Sequence, residues 1–242
     1  MMILPSEYLG PKTGLSASDR RAAAVKRAID VTLASLGLLV LLPVFGLIAL
    51  VIKLDSPGPI LYAQVRVGLN RRRREGDGDG NGNGHARSVD RRERDGYGRP
   101  FKIYKFRSMI TDAEKNTGPV WAAKSDSRIT RVGAFLRKTR LDETPQLWNV
   151  LRGDMSIVGP RPERPTFVVE LTQPLPDYPQ RCNTLPGITG LAQVKWQYDT
   201  SIETVNRKLE YDLYYVRHRR LLLDLKIMAA TVKVMARGDG AH

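Results

Sequence analysis

The chain alternates between one long stretch with no polar break and many short stretches of mixed pattern. Residues 31–52, VTLASLGLLVLLPVFGLIALVI, carry no charge. As a helix at about 1.5 Å per residue, the run is roughly 33 Å long, enough to cross the hydrocarbon core of a bilayer. Its length, and the lack of a small-residue cleavage pattern before Lys53 and Asp55, argue against a secretory signal. A plain transmembrane helix is one reading. Pro43, near the middle, removes a backbone hydrogen bond and clashes with the preceding turn. Both flanks are basic, with Arg20, Arg21, Lys26 and Arg27 before the run and Lys53, Arg66 and residues 71–74 after it. Basic flanks favour the cytoplasmic side. A re-entrant helix broken at Pro43, entering and leaving one leaflet, satisfies both flanks and is the preferred expectation.

Beyond this run the pattern is that of a water-soluble domain. Ser56-Pro57-Gly58-Pro59 stops the helix. Residues 60–67 (ILYAQVRV) and 101–106 (FKIYKF) alternate loosely and predict two strands. Between them, residues 71–97 hold GDGDGNGNG and RRERD, with too little apolar surface to offset ordering, and are expected to be a disordered insertion. Residues 132–140 predict a basic helix. Residues 145–152 (PQLWNVLR) predict a short one, with Pro145 in its first turn and Gly153 just past its end. Residues 153–190, rich in glycine and proline, are expected to be largely irregular. Thr200 and Glu203 suggest a capping box for a helix running toward Tyr215. A last helix over residues 221–237 is apolar around much of its circumference, suited to core or membrane interface.

Charge and composition narrow the chemistry. The 242 residues hold 39 Lys+Arg against 25 Asp+Glu, a net +14, so phosphate in some form is the expected partner: nucleic acid, lipid headgroup or small molecule. Cys182 is the only cysteine, which excludes an internal disulfide, and with only His85, His218 and His242 beside it a zinc site is not expected. A hard, oxygen-ligated ion such as Mg2+ remains open. Asp142 and Glu143 sit where a helix is expected to begin, among Arg137, Lys138 and Arg140. Backbone N–H groups there favour ionised carboxylates, suited to nucleophilic attack on phosphorus or to holding magnesium. Taken alone, the pair also reads as a plain helix cap.

An ordered series of motifs surrounds that pair: Lys26-Arg27-Ala-Ile-Asp30, Ser56-Pro-Gly-Pro59, Gln64-Val-Arg66-Val-Gly68, Phe101-Lys-Ile-Tyr-Lys-Phe-Arg-Ser-Met109, Leu141-Asp-Glu143, Asn149-Val-Leu-Arg-Gly-Asp-Met155, Val158-Gly-Pro-Arg-Pro-Glu163 and Pro186-Gly-Ile-Thr-Gly-Leu-Ala-Gln193. In this order, over residues 26–237, they resemble the bacterial sugar transferases, the monotopic polyprenyl-phosphate phosphoglycosyltransferases. Without residues 71–97, RVGLN would run directly into GRPFKIYKFRSM, the uninterrupted family pattern. Leu42 stands where some relatives carry serine before the proline.

The resemblance implies an enzyme that moves a sugar 1-phosphate from a nucleoside diphosphate sugar, usually a UDP-sugar, to a polyprenyl phosphate, usually undecaprenyl phosphate, releasing UMP. It implies Asp142 as nucleophile and magnesium ligand, Glu143 as its catalytic partner, and Arg161 as a phosphate ligand, with Lys105, Arg107 and Arg137 as further substrate-binding residues. A structural ion pair with Glu163 or another carboxylate is the competing role for Arg161. The implied fold is α+β and mainly helical: an N-terminal re-entrant membrane helix, a small antiparallel β-hairpin and interfacial helices around a catalytic domain on the cytoplasmic face of the bacterial inner membrane. Its expected divisions are a flexible N-terminus (1–21), the membrane helix (22–55), the catalytic domain (56–237) with its insertion, and a tail (238–242). Anionic membrane lipids are expected partners, nucleic acid is not, and a homo-oligomer is left open. A non-catalytic basic scaffold, or a nucleic-acid-binding membrane protein, would explain the charge but leave the motifs idle.

Overall fold

In the computed structural model the described residues are 17–70, 97–113, 126–195 and 201–237. Most of the expected insertion, residues 71–96, lies outside them, as do residues 1–16 and 238–242. Helix α1 (Ala17–Asp55) leads into a hairpin of β1 (Leu61–Val67) and β2 (Pro100–Phe106). Then come α2 (Arg131–Thr139), a 3-10 turn at Leu141–Glu143, α3 (Gln146–Arg152), β3 (Ser156–Val158) and α4 (Pro165–Thr172). A second 3-10 segment (Tyr178–Asn183), β4 (Gly187–Thr189), α5 (Leu191–Lys195), α6 (Ile202–His218) and α7 (Leu221–Arg237) complete it. The mainly helical class with a small antiparallel pair matches the expectation.

Four expectations are corrected. Residues 17–21 belong to α1 rather than to a flexible N-terminus, because alanine and arginine extend the helix at little cost. The break at Pro43 is absent: α1 is helical throughout, with Pro43 inside it. Only one backbone donor is lost there, and Val44 and Phe45 pack onto Ile48, Ile52, Phe106 and Leu136, which holds the following turns in place. Residues 153–190 are ordered into β3, α4, a 3-10 segment and β4. The cap of α6 is Ser201, whose hydroxyl accepts from Thr204 N while the Thr204 hydroxyl accepts from Ser201 N. The reciprocal partner is Thr204 rather than Glu203, and Thr200 lies outside the described residues.

The hairpin pairs Leu61 with Phe106 through to Val67 with Pro100. Gly68 N donates to Arg99 O at 2.9 Å and Arg99 N to Leu69 O at 3.2 Å, so the two sides of the chain meet where the insertion departs. Tyr97 belongs to the domain: it packs on the cluster of Val67, Val168, Tyr178, Cys182, Val205, Leu209 and Leu213.

The unforeseen sheet is a parallel pair, Ser156 with Gly187 and Val158 with Thr189. It depends on glycine. A Cβ at Gly187 would lie 2.1 Å from Gly159 N, and one at Gly190 would lie 2.2 Å from Gly159 O. Only a missing side chain lets the two backbones come so close. The Val-Gly-Pro-Arg-Pro and Pro-Gly-Ile-Thr-Gly motifs are therefore two sides of one device, closed by Gly159 N to Thr189 O and Gly187 N to Pro160 O, both 2.9 Å.

Helix α1 is fastened to this body at two places. Near its start, Arg27 donates to Val150 O (2.6 Å) and Leu151 O (2.8 Å), carbonyls at the end of α3. Lys26 pairs with Asp224 at 2.8 Å, and Asp30 accepts from Ile157 N at 3.2 Å. Ala34, fully buried, joins Ile103, Val150 and Met155. Near its end, Ile48 and Ile52 are core residues, and Phe45 meets Phe106 edge-on with ring centroids 5.2 Å apart. The outward side is apolar, with Leu36, Leu39, Val40, Leu42, Leu47 and Leu50 all more than half exposed.

Candidate active site

The carboxylate pair stands on the 3-10 turn between α2 and α3. Arg140, in the left-handed region at φ 57°, ends α2 and redirects the chain into that turn. Pro145 starts α3 and Gly153 (φ 81°) closes it, as the sequence predicts. The helix-cap role for Asp142 does not hold, because α3 begins at Gln146, has Pro145 at its N-cap position and shows no side-chain cap hydrogen bond. Asp142 and Glu143 are both buried, 7% and 8% exposed.

Their surroundings differ sharply. Glu143 is gripped: Lys105 Nζ donates to Oε1 at 2.6 Å, Arg161 Nη2 donates to the same oxygen at 2.6 Å, and Arg161 Nη1 reaches Oε2 at 3.4 Å. Burial alone would raise its pKa. The charges of Arg161 and Lys105 outweigh that and hold it well below the ordinary carboxylate range. Asp142 receives no hydrogen bond among those described. Burial and the neighbouring Glu143 charge push it up to about 6, against the pull of Lys105, Arg137 and Arg161. Burial likewise lowers the Lys105 pKa, opposed by Glu143. The result is one locked carboxylate and one free carboxylate within a ring of cations.

The structure brings Lys105, Asp142, Glu143 and Arg161 together, with Arg137 close enough for its charge to act on Asp142. One Arg137 nitrogen, Nη1, is buried without a hydrogen-bond partner, a donor suited to an incoming anion. Arg161 pairs with Glu143, whereas Glu163 is held by Arg66 (3.4 Å) and Arg181 (3.8 Å). Arg107 is not part of the group. Its guanidinium donates to Ile52 O, Ser56 O, Ser56 Oγ and Pro57 O at 2.6–3.2 Å, tying the end of α1 to the Ser-Pro-Gly-Pro turn. Arg107 thus engages carbonyls at a helix end, where a cation is favoured.

Several residues that position the site were not singled out from sequence. Asn149, fully buried, donates to Lys102 O at 2.7 Å and accepts from Tyr104 N at 3.2 Å, fixing β2 and hence Lys105. Arg66 donates to Pro162 O and Arg181 to Arg161 O, both at 3.1 Å, so two arginines hold the Pro-Arg-Pro backbone from behind. Arg181 is itself paired with buried Asp212 at 2.6 Å, where solvent screens the pair little. Asn149 and Arg66 lie within the quoted motifs. For Asp212 the signal was a lone acid on a helix, which local pattern cannot interpret.

The donor set fits magnesium, which commonly takes one or two protein carboxylates and completes its shell with water and substrate phosphates. Asp142 is a hard oxygen donor with no protein donor occupying it, and a dication would relieve the burial of its charge. Among the described residues no cluster of three or more His, Cys, Asp or Glu forms a ready-made cage.

A sequence model of the bacterial sugar transferases matches residues 21–75 and 86–238, most of the chain. The chain belongs to the bacterial sugar transferase family. The unmatched gap, 76–85, falls within the expected insertion. Among individual relatives of this sugar transferase, a UDP-N-acetylgalactosamine-undecaprenyl-phosphate N-acetylgalactosaminephosphotransferase of Aeromonas hydrophila is 38% identical over 91% of this chain. A UDP-glucose:undecaprenyl-phosphate glucose-1-phosphate transferase of Escherichia coli is 39% identical over 86%. The chain spans 45% and 39% of those two proteins. It spans 98% of an exopolysaccharide production protein of Rhizobium leguminosarum, 38% identical to it over 89% of this chain. These matches give no support to a scaffold or a nucleic-acid-binding protein.

Proposed function

We propose that this sugar transferase moves a sugar 1-phosphate from a UDP-sugar to a polyprenyl phosphate, of which undecaprenyl phosphate is the acceptor named for its relatives, and so begins assembly of a surface polysaccharide. The observation that carries the proposal is the division of labour within the pair: Asp142 has no hydrogen-bond donor, while Glu143 is fully engaged with Lys105 and Arg161.

Asp142 attacks the phosphorus that bears the sugar. A bond from its carboxylate oxygen to phosphorus forms, the bond from that phosphorus to the UMP oxygen breaks, and UMP leaves. An oxygen of the acceptor phosphate then attacks the same phosphorus, and the bond to Asp142 breaks to regenerate the carboxylate. Glu143, held ionised, aims Lys105 and Arg161 at the phosphates and is too weak a base to be the proton acceptor. Arg161 binds through a planar fork suited to phosphate oxygens. Magnesium held by Asp142 and the donor diphosphate would supply charge neutralisation when bound.

UMP release is the direct assay. With undecaprenyl phosphate and Mg2+ present, UDP-glucose, UDP-galactose and UDP-N-acetylgalactosamine should include at least one donor that yields UMP and a lipid-linked diphosphosugar. Relatives named for different sugars are about equally similar to this chain, so the sugar must be measured. UMP from no donor in the panel would sink the proposal.

Membrane association belongs to the same reading. Its support is the exposed apolar side of α1, whose most apolar 18-residue stretch has mean hydropathy 2.8, together with exposed Phe135, Trp148, Leu222 and Val232. Asp30 and Ile48 both pack on the catalytic body although they lie roughly 27 Å apart along the helix, close to the ~30 Å of a bilayer core. A bilayer would not fit between them. This packing supports a reading in which both ends of α1 sit on one face of the inner membrane, the cytoplasmic face where the nucleotide sugar is made, although α1 is unbroken. Arg20→Cys and Arg131→Cys should react with a membrane-impermeant maleimide only in inverted vesicles. Cys182 will stay silent, since burial raises its thiol to about 11. Labelling of the two sites from opposite faces would disprove the shared topology.

A further inference from the structure

Beside Glu143 lies a cavity of about 160 Å³. We infer that it receives the first isoprene units of the lipid acceptor and so delivers the acceptor phosphate to the Asp142 intermediate. The inference rests on the transfer reaction proposed above and adds where the acceptor's hydrocarbon lies.

The walls come from four elements: Leu147 of α3, Ile188 of β4, Val194 of α5, and Val234 and Met235 of α7. Threonines also line it, but their hydroxyls are already used. Thr189 Oγ1 and Thr231 Oγ1 are 2.7 Å apart, Thr231 Oγ1 donates to Ile227 O at 2.8 Å, and Thr144 Oγ1 donates to Leu141 O at 2.7 Å. The Gln193 amide nitrogen donates to Ile188 O at 3.2 Å. Apart from Gln193 Oε1, a buried acceptor with no hydrogen-bond partner, these polar residues present mainly hydrocarbon to the cavity. A hexose or a nucleobase would bury more polar groups there than that one acceptor can partner, which is unfavourable. An isoprenoid has no such groups to satisfy and gains by leaving water.

One end of the cavity is charged and the other leads to the membrane-facing surface. Arg140 and Glu143 close the charged end, and through Glu143 it adjoins Lys105 and Arg161. At the other end, Met235 is half exposed and Val232 more so. Leu147 also touches α1, because a Cβ at Gly37 would sit 3.0 Å from Leu147 Cδ1. The cavity thus joins the exposed apolar helix to the cation cluster, the order of parts found in a polyprenyl phosphate.

The test separates the two half-reactions. Val234→Trp fills the cavity and should raise KM for undecaprenyl phosphate about tenfold or more. The burst of UMP from UDP-sugar alone should stay at the wild-type level. A burst lost with acceptor KM unchanged would mean that the cavity holds the donor, and an unchanged KM with a normal burst would mean that it holds neither. Either result overturns the inference while leaving the transfer reaction standing. Absence of any burst in wild type instead removes the reading beneath it. Should Val234→Trp not fold, wild-type enzyme with dimethylallyl, geranyl and farnesyl phosphate answers the same question. KM should fall with each added unit until the cavity is full, and equal KM for all three overturns the inference.

Discussion

Asparagine at position 142 should give a protein that is inactive yet more stable than wild type. Under the proposed mechanism this change removes the nucleophile, so acceptor-independent UMP release should fall by about 10³-fold or more. No phosphosugar adduct should appear on the peptide that contains residue 142. The gain in stability follows from linkage. The folded pKa of Asp142 is raised, through burial first and Glu143 second, to about 6, above its unfolded value. Stability from this group is therefore complete below the unfolded carboxylate pKa and is lost as pH rises through about 6. At pH 7.5, without added Mg2+, the ionised side chain costs on the order of 2 kcal/mol, which asparagine does not incur. A rise in Tm of roughly 4–8 °C is expected at pH 7.5, shrinking toward zero near pH 4. Turnover close to wild type would end the nucleophile assignment. A Tm no higher than wild type at pH 7.5 would end the account of a buried, costly charge.

The second large effect is on folding, at a buried pair behind the Pro-Arg-Pro loop. Arg181 and Asp212 are 2.6 Å apart and both almost fully buried. Asp212→Ala leaves the guanidinium with the Tyr178 hydroxyl, the Arg161 carbonyl and a distant Glu163, and should cost about 3–5 kcal/mol. Arg181→Met with Asp212→Leu removes both charges and should recover most of that loss. Turnover should not recover with it. The Arg161 carbonyl has lost one of its anchors, and a misplaced phosphate ligand of this kind costs about tenfold or more in rate. Denaturant unfolding in detergent, read beside UMP release, checks both parts. A double variant as unstable as Asp212→Ala, or as active as wild type, would refute the account.

Features with a local signature could be read from the chain. The uncharged run and α7 each follow from a continuous stretch of residues, and the short helix is marked at both ends by Pro145 and Gly153. The hairpin was legible because its alternation survives on both sides of the insertion. Features made by meetings between distant segments were not. Strands β3 and β4 are three residues each and depend on backbone contact between Gly159 and Gly187. Arg107 has the charge for phosphate, and only the fold shows that helix-end carbonyls take it. At the candidate site, the ordered motifs gave Asp142, Glu143, Lys105 and Arg161. Which carboxylate is gripped and which is free depends on where β2 and the Pro-Arg-Pro loop come to rest. At Pro43, packing of Phe45 and Ile48 prevails over the local tendency to break.

Ala34, Ile48 and Ile52 are the buried apolar residues of α1, and they belong to the same apolar clusters as Ile103, Phe106 and Leu136. The membrane helix is therefore a wall of the catalytic body and cannot be treated as a removable tether. A fragment begun at Ser56 would expose the core those residues cover and would lose the carbonyl that Arg107 binds at Ile52. On the proposed membrane reading, insertion of α1 and completion of the catalytic body are coupled, and cutting the chain after α1 should inactivate the enzyme as well as release it.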